Sequence, residues 1–143
     1  MKTLKQIIET KKIKELLTIS PTQTVIEALM VMAKYKIGAL LVTDKDKMVG
    51  IVSERDYARE IILHKKSSKE TLVKDIMTKK VLSLHPTDSF EKGLEIMSEK
   101  KIRHMPVLKG DKIIGMVSQG DLVKEMISHQ KDLINQLESF IQN

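Results

Sequence analysis

The sequence predicts a mixed α/β (α+β) protein built of two tandem β-α-β-β-α units, packed sheet to sheet about a pseudo-two-fold axis. Three observations predict it. Residues 18–62 align with residues 83–127 at one constant offset and without a gap. Within each copy the apolar period changes from helical to strand-like and back in the same order. Finally, a copy of roughly 45 residues, a small sheet with helices on one side, is too short to cover its open apolar face alone.

The duplication is carried by identities spread along the unit. Pro21 and Thr22 match Pro86 and Thr87; Leu29 and Met32 match Leu94 and Met97; Lys36 and Ile37 match Lys101 and Ile102. Asp46 and Lys47 match Asp111 and Lys112, and Gly50, Val52, Ser53 and Asp56 match Gly115, Val117, Ser118 and Asp121. Glu60 and Ile62 match Glu125 and Ile127.

The elements follow in order. An extended stretch precedes each proline, Leu17 to Ser20 and Val81 to His85. Thr24 or Ser89 caps a helix whose apolar residues fall at helical spacing, Val25, Ala28, Leu29 and Met32 in one copy, Phe90, Leu94 and Met97 in the other. Two β-rich runs come next, Ala39 to Val42 then Met48 to Val52, and Met105 to Leu108 then Ile113 to Val117, each pair joined by a turn. A second helix opens at Ser53 or Ser118. Around the repeats, taken as 18–64 and 81–128, lie a short helix and basic lead-in (1–17), a linker (65–80) and a helical extension (129–143). The extension carries an apolar stripe, Leu133, Leu137 and Ile141, that either covers the other repeat or makes a dimer contact.

Composition narrows the function. The chain has 143 residues, 41% of them hydrophobic and 31% charged, the balance of a soluble globular protein. No apolar run approaches the roughly 20 residues that span a bilayer, and the N-terminus lacks the apolar block of a secretory signal, so the cytoplasm is the expected location. There are no cysteines, which removes thiolate chemistry. The net charge of +6 comes from dispersed lysines; arginine occurs only at 55, 59 and 103, and with two Tyr, two Phe and no Trp there is no stacking platform for nucleic acid. His64, His85, His104 and His129 show no metal-ligand spacing, and no nucleophile motif or phosphate-binding Gly-rich loop is present. A non-catalytic, metal-free role is therefore expected.

The phrase Gly50 Ile51 Val52 Ser53 Glu54 Arg55 Asp56, echoed as Gly115 Met116 Val117 Ser118 Gln119 Gly120 Asp121, admits two readings. Ser-x-x-Asp at a strand-to-helix junction is a capping box, satisfying helix N–H groups. The same groups suit an anionic oxygen and a vicinal diol, as phosphate and ribose present them.

These motifs, with Ile37 Gly38 Ala39 Leu40 Leu41 Val42, Asp75 Ile76 Met77 Thr78 and Ile102 Arg103 His104 Met105 Pro106 Val107, closely resemble the CBS-domain pair, or Bateman module, over roughly residues 8–141. The resemblance implies binding of AMP, ADP, ATP, NAD(H) or S-adenosylmethionine in clefts between repeats. It assigns Asp56 and Asp121 to ribose, with Ser53 and Ser118 beside them. Leu17, Thr78 and Leu82 occupy adenine-lining places, and Gly38, Ala39 and Leu40, with Met105 and Pro106, resemble the strand start that reads the base edge. Arg103 and His104 match a basic pair turned toward phosphate; the first copy has Gly38 and Ala39 there, with Arg55 as a substitute. The implied protein is a ligand sensor, homodimeric through its CBS helices, that signals to an unidentified target protein by changing shape or oligomeric state. The alternatives are a structural dimerisation adaptor with vestigial sites and a lysine-driven nucleic-acid binder.

Overall fold

The computed structural model describes residues 2–11 and 16–142. In chain order its elements are α1 (Leu4–Glu9), β1 (Thr18–Ile19), α2 (Val25–Tyr35), β2 (Ala39–Asp44), β3 (Lys47–Ser53), α3 (Glu54–Tyr57), α4 (Phe90–Lys100), β4 (His104–Lys109), β5 (Lys112–Ser118) and α5 (Gln119–Gln142). A π-helical turn, Ala58–Ile62, continues α3, and a 3-10 turn covers Val73–Asp75. The fold is mixed α and β, and the described chain divides into two units. The repeat-one unit holds residues 16–82, and the repeat-two unit holds 2–11 with 83–142.

Local chemistry recurs at the repeat offset. The Thr24 hydroxyl accepts the Glu27 N–H at 3.4 Å, and the Ser89 hydroxyl accepts that of Lys92 at 3.2 Å, so each helix start gains a donor match that the backbone cannot supply. Both helices stop at a left-handed lysine, Lys36 (φ 55°) or Lys101 (φ 56°), after which the Ile37 or Ile102 N–H returns to the Met32 or Met97 carbonyl at 3.0 Å. The hairpins share a register irregularity, at Val42/Thr43 and Val107/Leu108. They differ at the turn: Gly110 (φ 61°) adopts freely the left-handed conformation that Lys45 (φ 51°) holds at some steric cost.

In the repeat-one unit the sheet order is β1-β2-β3, with β1 parallel to β2. The repeat-two unit reproduces this with one residue, Leu84, whose N–H donates to the Pro106 carbonyl at 2.9 Å and whose carbonyl accepts the Leu108 N–H at 2.8 Å. Each unit closes over its own core. One gathers Val25, Met32, Leu40, Val52 and Val73, the other Leu4, Phe90, Met97, Met105 and Leu122.

The flanking segments are integral to these cores. The Leu4 and Lys5 N–H groups donate to the Asp88 and Pro86 carbonyls at 3.0 Å each; the Val73 and Lys74 N–H groups donate to the Gln23 and Pro21 carbonyls at 2.8 and 3.0 Å. Residues 3–8 thus serve repeat two as residues 72–77 serve repeat one. The segment preceding repeat one in sequence completes the other unit, and the stretch read above as a linker supplies core residues to repeat one. Residues 12–15 of the lead-in lie outside the described residues. Gly50 and Gly115 make room for the inserted segments. A Cβ on Gly50 would fall 2.7 Å from Met77 Sδ and 2.9 Å from the Thr78 carbonyl oxygen; one on Gly115 would fall 3.0 Å from an Ile8 methyl.

Helix α5 packs at its start through buried Leu122, and Phe90 meets the His129 ring edge-on with centroids 5.8 Å apart. From Lys131 onward its side chains are exposed, Leu133, Leu137 and Ile141 among them. Among the described residues no helix is long and apolar enough to cross a membrane.

Candidate functional site

Each β-hairpin delivers its last strand into a helix through Ser-x-x-Asp, and the capping box is fully formed in both copies. The Ser53 N–H and hydroxyl donate to Asp56 Oδ2 at 2.8 and 3.0 Å, and the Asp56 N–H donates back to Ser53 Oγ at 3.2 Å. The Ser118 N–H donates to Asp121 Oδ2 at 2.8 Å, and the Asp121 N–H to Ser118 Oγ at 3.1 Å. The box uses one carboxylate oxygen only. Among the described residues every bond given to the two aspartates falls on Oδ2 and none on Oδ1. Capping and ligand binding are therefore compatible: one oxygen holds the helix start and the other remains an acceptor.

The start of the first hairpin strand lies alongside. Ala39 pairs with Ser53 and His104 with Ser118; the Gly38 carbonyl accepts the Glu54 N–H at 3.1 Å and the Arg103 carbonyl accepts the Gln119 N–H at 2.7 Å. These bonds fix residues 38–39 and 103–104 beside the aspartate of their own unit.

The two copies then diverge. Lys11, from the N-terminal segment, places Nζ 2.9 Å from Asp121 Oδ2 and 2.9 Å from the Met116 carbonyl oxygen. In the repeat-one unit the equivalent carbonyl, that of Ile51, accepts the Thr78 N–H at 2.9 Å instead, and Asp56 has no ion-pair partner among the described residues. The carboxyls respond in opposite directions. Burial pushes Asp56 above the usual carboxylate range against the opposing Ser53 bonds. Burial also acts upward on Asp121, but the Ser118 N–H and the Lys11 ammonium together hold it below that range. His104, half-buried, is lowered mainly by burial and further by Lys11 and Arg103, with Asp121 opposing.

The remaining candidates are dispersed in character. Leu40 and Met105 are fully buried in the cores of their units, and Ala39 and Pro106 are buried too, so these four have main-chain atoms rather than side-chain surface to offer a base. Leu17 is half-buried against the repeat-one core, whereas Thr78 and Leu82 are exposed. Arg55 and Arg103 are exposed at the two junctions. Lys11 was absent from the candidates derived from sequence. The signal that finds it is a second internal match, residues 3–11 with 72–80, in which Lys5, Ile7 and Lys11 align with Lys74, Ile76 and Lys80.

Residues 5–63 and 73–128 each match the sequence profile of the CBS domain. The mitochondrial CBS domain-containing protein CBSX3 of Arabidopsis thaliana is 37% identical over 124 residues, which cover 83% of this chain and 60% of that protein; the chain thus spans well under the full length of this relative. Among solved structures, a CBS-domain protein from Burkholderia ambifaria MC40-6 superposes with a TM-score of 0.85 at 45% identity, covering 90% of this chain and 96% of that one. The CBS domain pair of protein MJ0100, solved in complex with 5′-methylthioadenosine and S-adenosyl-L-methionine, shares the fold with a TM-score of 0.78 at 24% identity, covering 90% and 98%.

Proposed function

The chain belongs to the CBS-domain family, carrying this regulatory module's domain twice, and from that premise we propose that it is a non-catalytic sensor of adenosine-containing ligands. The ligand class is AMP, ADP, ATP, NAD(H) or S-adenosylmethionine. The observation that carries the reading is the pair of aspartate Oδ1 atoms, each beside a capped helix start and without a hydrogen bond among the described residues, each able to accept bonds from a vicinal diol. The ligands held by the CBS pair of MJ0100 support the same class. Binding signals by differential affinity: a ligand shifts the protein between two states only as far as it prefers one of them. The recipient is a separate protein or a second copy of this chain.

A thermal-shift panel of adenosine and guanosine ligands on the full chain tests this reading. A ligand that binds only the folded state at a hundredfold excess over Kd adds about 2.7 kcal/mol, an increase of several degrees in Tm. Adenosine ligands are expected to give that rise and guanosine ligands none; equal shifts, or none with either, contradict it.

For self-association, α5 presents Ile127, Ile134 and Ile141 at seven-residue spacing with Leu137 between the last two, all exposed. Isoleucine and leucine at such positions favour a two-stranded coiled coil. Sedimentation is expected to show a dimer that Leu137→Glu shifts toward monomer at least tenfold; a wild-type monomer at high micromolar concentration contradicts the proposal.

A further inference from the structure

Lys11 reaches the repeat-two site from outside the repeat. Its ammonium carries three donors, of which two are engaged, by Asp121 Oδ2 and the Met116 carbonyl, both at 2.9 Å. It sits on the same carboxylate oxygen that the Ser118 N–H uses, so it leaves Oδ1 open. The side chain is 29% exposed, enough to meet a ligand at its third N–H. Arg103 and His104 stand at the adjoining strand start: His104 pairs with Ser118, and the Arg103 carbonyl accepts the Gln119 N–H at 2.7 Å. A ribose with its hydroxyls on Oδ1 carries its 5′ substituent one sugar ring away, within the roughly 8 Å over which charges act in physiological salt. The pair is part-exposed and weak for that reason, so sharing the ammonium between Asp121 and a phosphate costs little.

The matching position in repeat one is built otherwise. The Ser53 hydroxyl makes the second donation to Asp56 Oδ2, the Thr78 N–H occupies the Ile51 carbonyl, and the aligned Lys80 is exposed.

Resting on the reading of Asp121 as a ribose-binding group, we propose that Lys11 makes the repeat-two site selective for phosphate-bearing adenosine ligands over cationic ones. Repeat one, where among the described residues no ammonium pairs with the aspartate and Arg59 acts on it only through longer-range charge, takes neutral, cationic and phosphorylated adenosine ligands with less discrimination. The N-terminal segment thereby sets the ligand charge that one of the two sites accepts.

The test is an NMR titration of the full chain with adenosine, AMP and S-adenosylmethionine, following the Gly120 amide for repeat two and the Arg55 amide for repeat one, in wild type, Lys11→Met and Lys11→Arg. The expected result at Gly120 is AMP weakened about tenfold by Lys11→Met, adenosine unchanged, S-adenosylmethionine tightened, and AMP restored by Lys11→Arg. Affinities at Arg55 stay constant, which also reports that the variants fold. Equal tightening of adenosine and AMP identifies Lys11 as a plug and overturns the proposal. Equal weakening of both, or no change, overturns it as well. A wild type that binds at Arg55 but not at Gly120 defeats this inference alone, whereas a wild type that binds nowhere defeats the sensor reading with it.

Discussion

Asp56→Asn is expected to raise the Tm of the ligand-free protein at neutral pH while weakening adenosine ligands at repeat one about ten- to hundredfold. The asparagine amide oxygen still accepts the Ser53 N–H, so the helix cap survives; only the buried charge is removed. Because burial holds the Asp56 carboxyl above its unfolded value, the folded state binds this proton more tightly than the unfolded chain does. The associated stability is present below about pH 3.9, the unfolded value, and is lost as pH rises through the folded one. The advantage of the asparagine is thus near zero in acid and complete at neutral pH.

Asp121→Asn behaves oppositely. Its carboxyl is lowered, so its contribution is present above about pH 3.9 and disappears as pH falls through the folded value. Removing it at neutral pH loses the Lys11 ion pair, about 0.2–1 kcal/mol at this exposure, and the penalty fades in acid. Melting curves of both variants between pH 3 and 7, with and without AMP, check the signs. A destabilised Asp56→Asn at neutral pH contradicts the raised carboxyl described for that site.

The second large effect concerns the inserted segments. Gly50→Ala is expected to cost about 2–4 kcal/mol in urea denaturation and Gly115→Ala about 1. Beside Gly50 the obstacle includes main chain, the Thr78 carbonyl, whose residue also exchanges two hydrogen bonds with Ile51 at 2.9 and 3.0 Å; a methyl there forces both to break. Beside Gly115 the nearest atoms all belong to the Ile8 side chain, which can rotate away. Equal losses contradict the distinction between main-chain and side-chain insertion.

How far the sequence could be read depends on what each interaction leaves in the residue pattern. The repeated caps Thr24 and Ser89, the paired glycines and the Ser-x-x-Asp junctions were legible because local hydrogen bonds require particular side chains at fixed spacing. The placement of residues 2–11 was not. That segment precedes its counterpart by 69 positions (Thr3 to Leu72), four more than the 65 that relates the repeats (Ser53 to Ser118), and a gap-free comparison at one offset passes over it. Lys11 was hidden for the same reason. Nor could sequence divide the two oxygens of each aspartate, because only geometry shows that the capping bonds fall on Oδ2. The cost of burying Leu40 and Met105 side chains away from any base was likewise invisible, since a strand start reads alike whether its side chains or its main chain face a ligand.

Crystals grown with millimolar AMP put the central idea to its most direct trial. The expected map shows ribose hydroxyls within 3.2 Å, a normal hydrogen-bond length, of Oδ1 of Asp56, Asp121 or both. A nucleotide bound elsewhere, or both oxygens facing only water at that concentration, contradicts it.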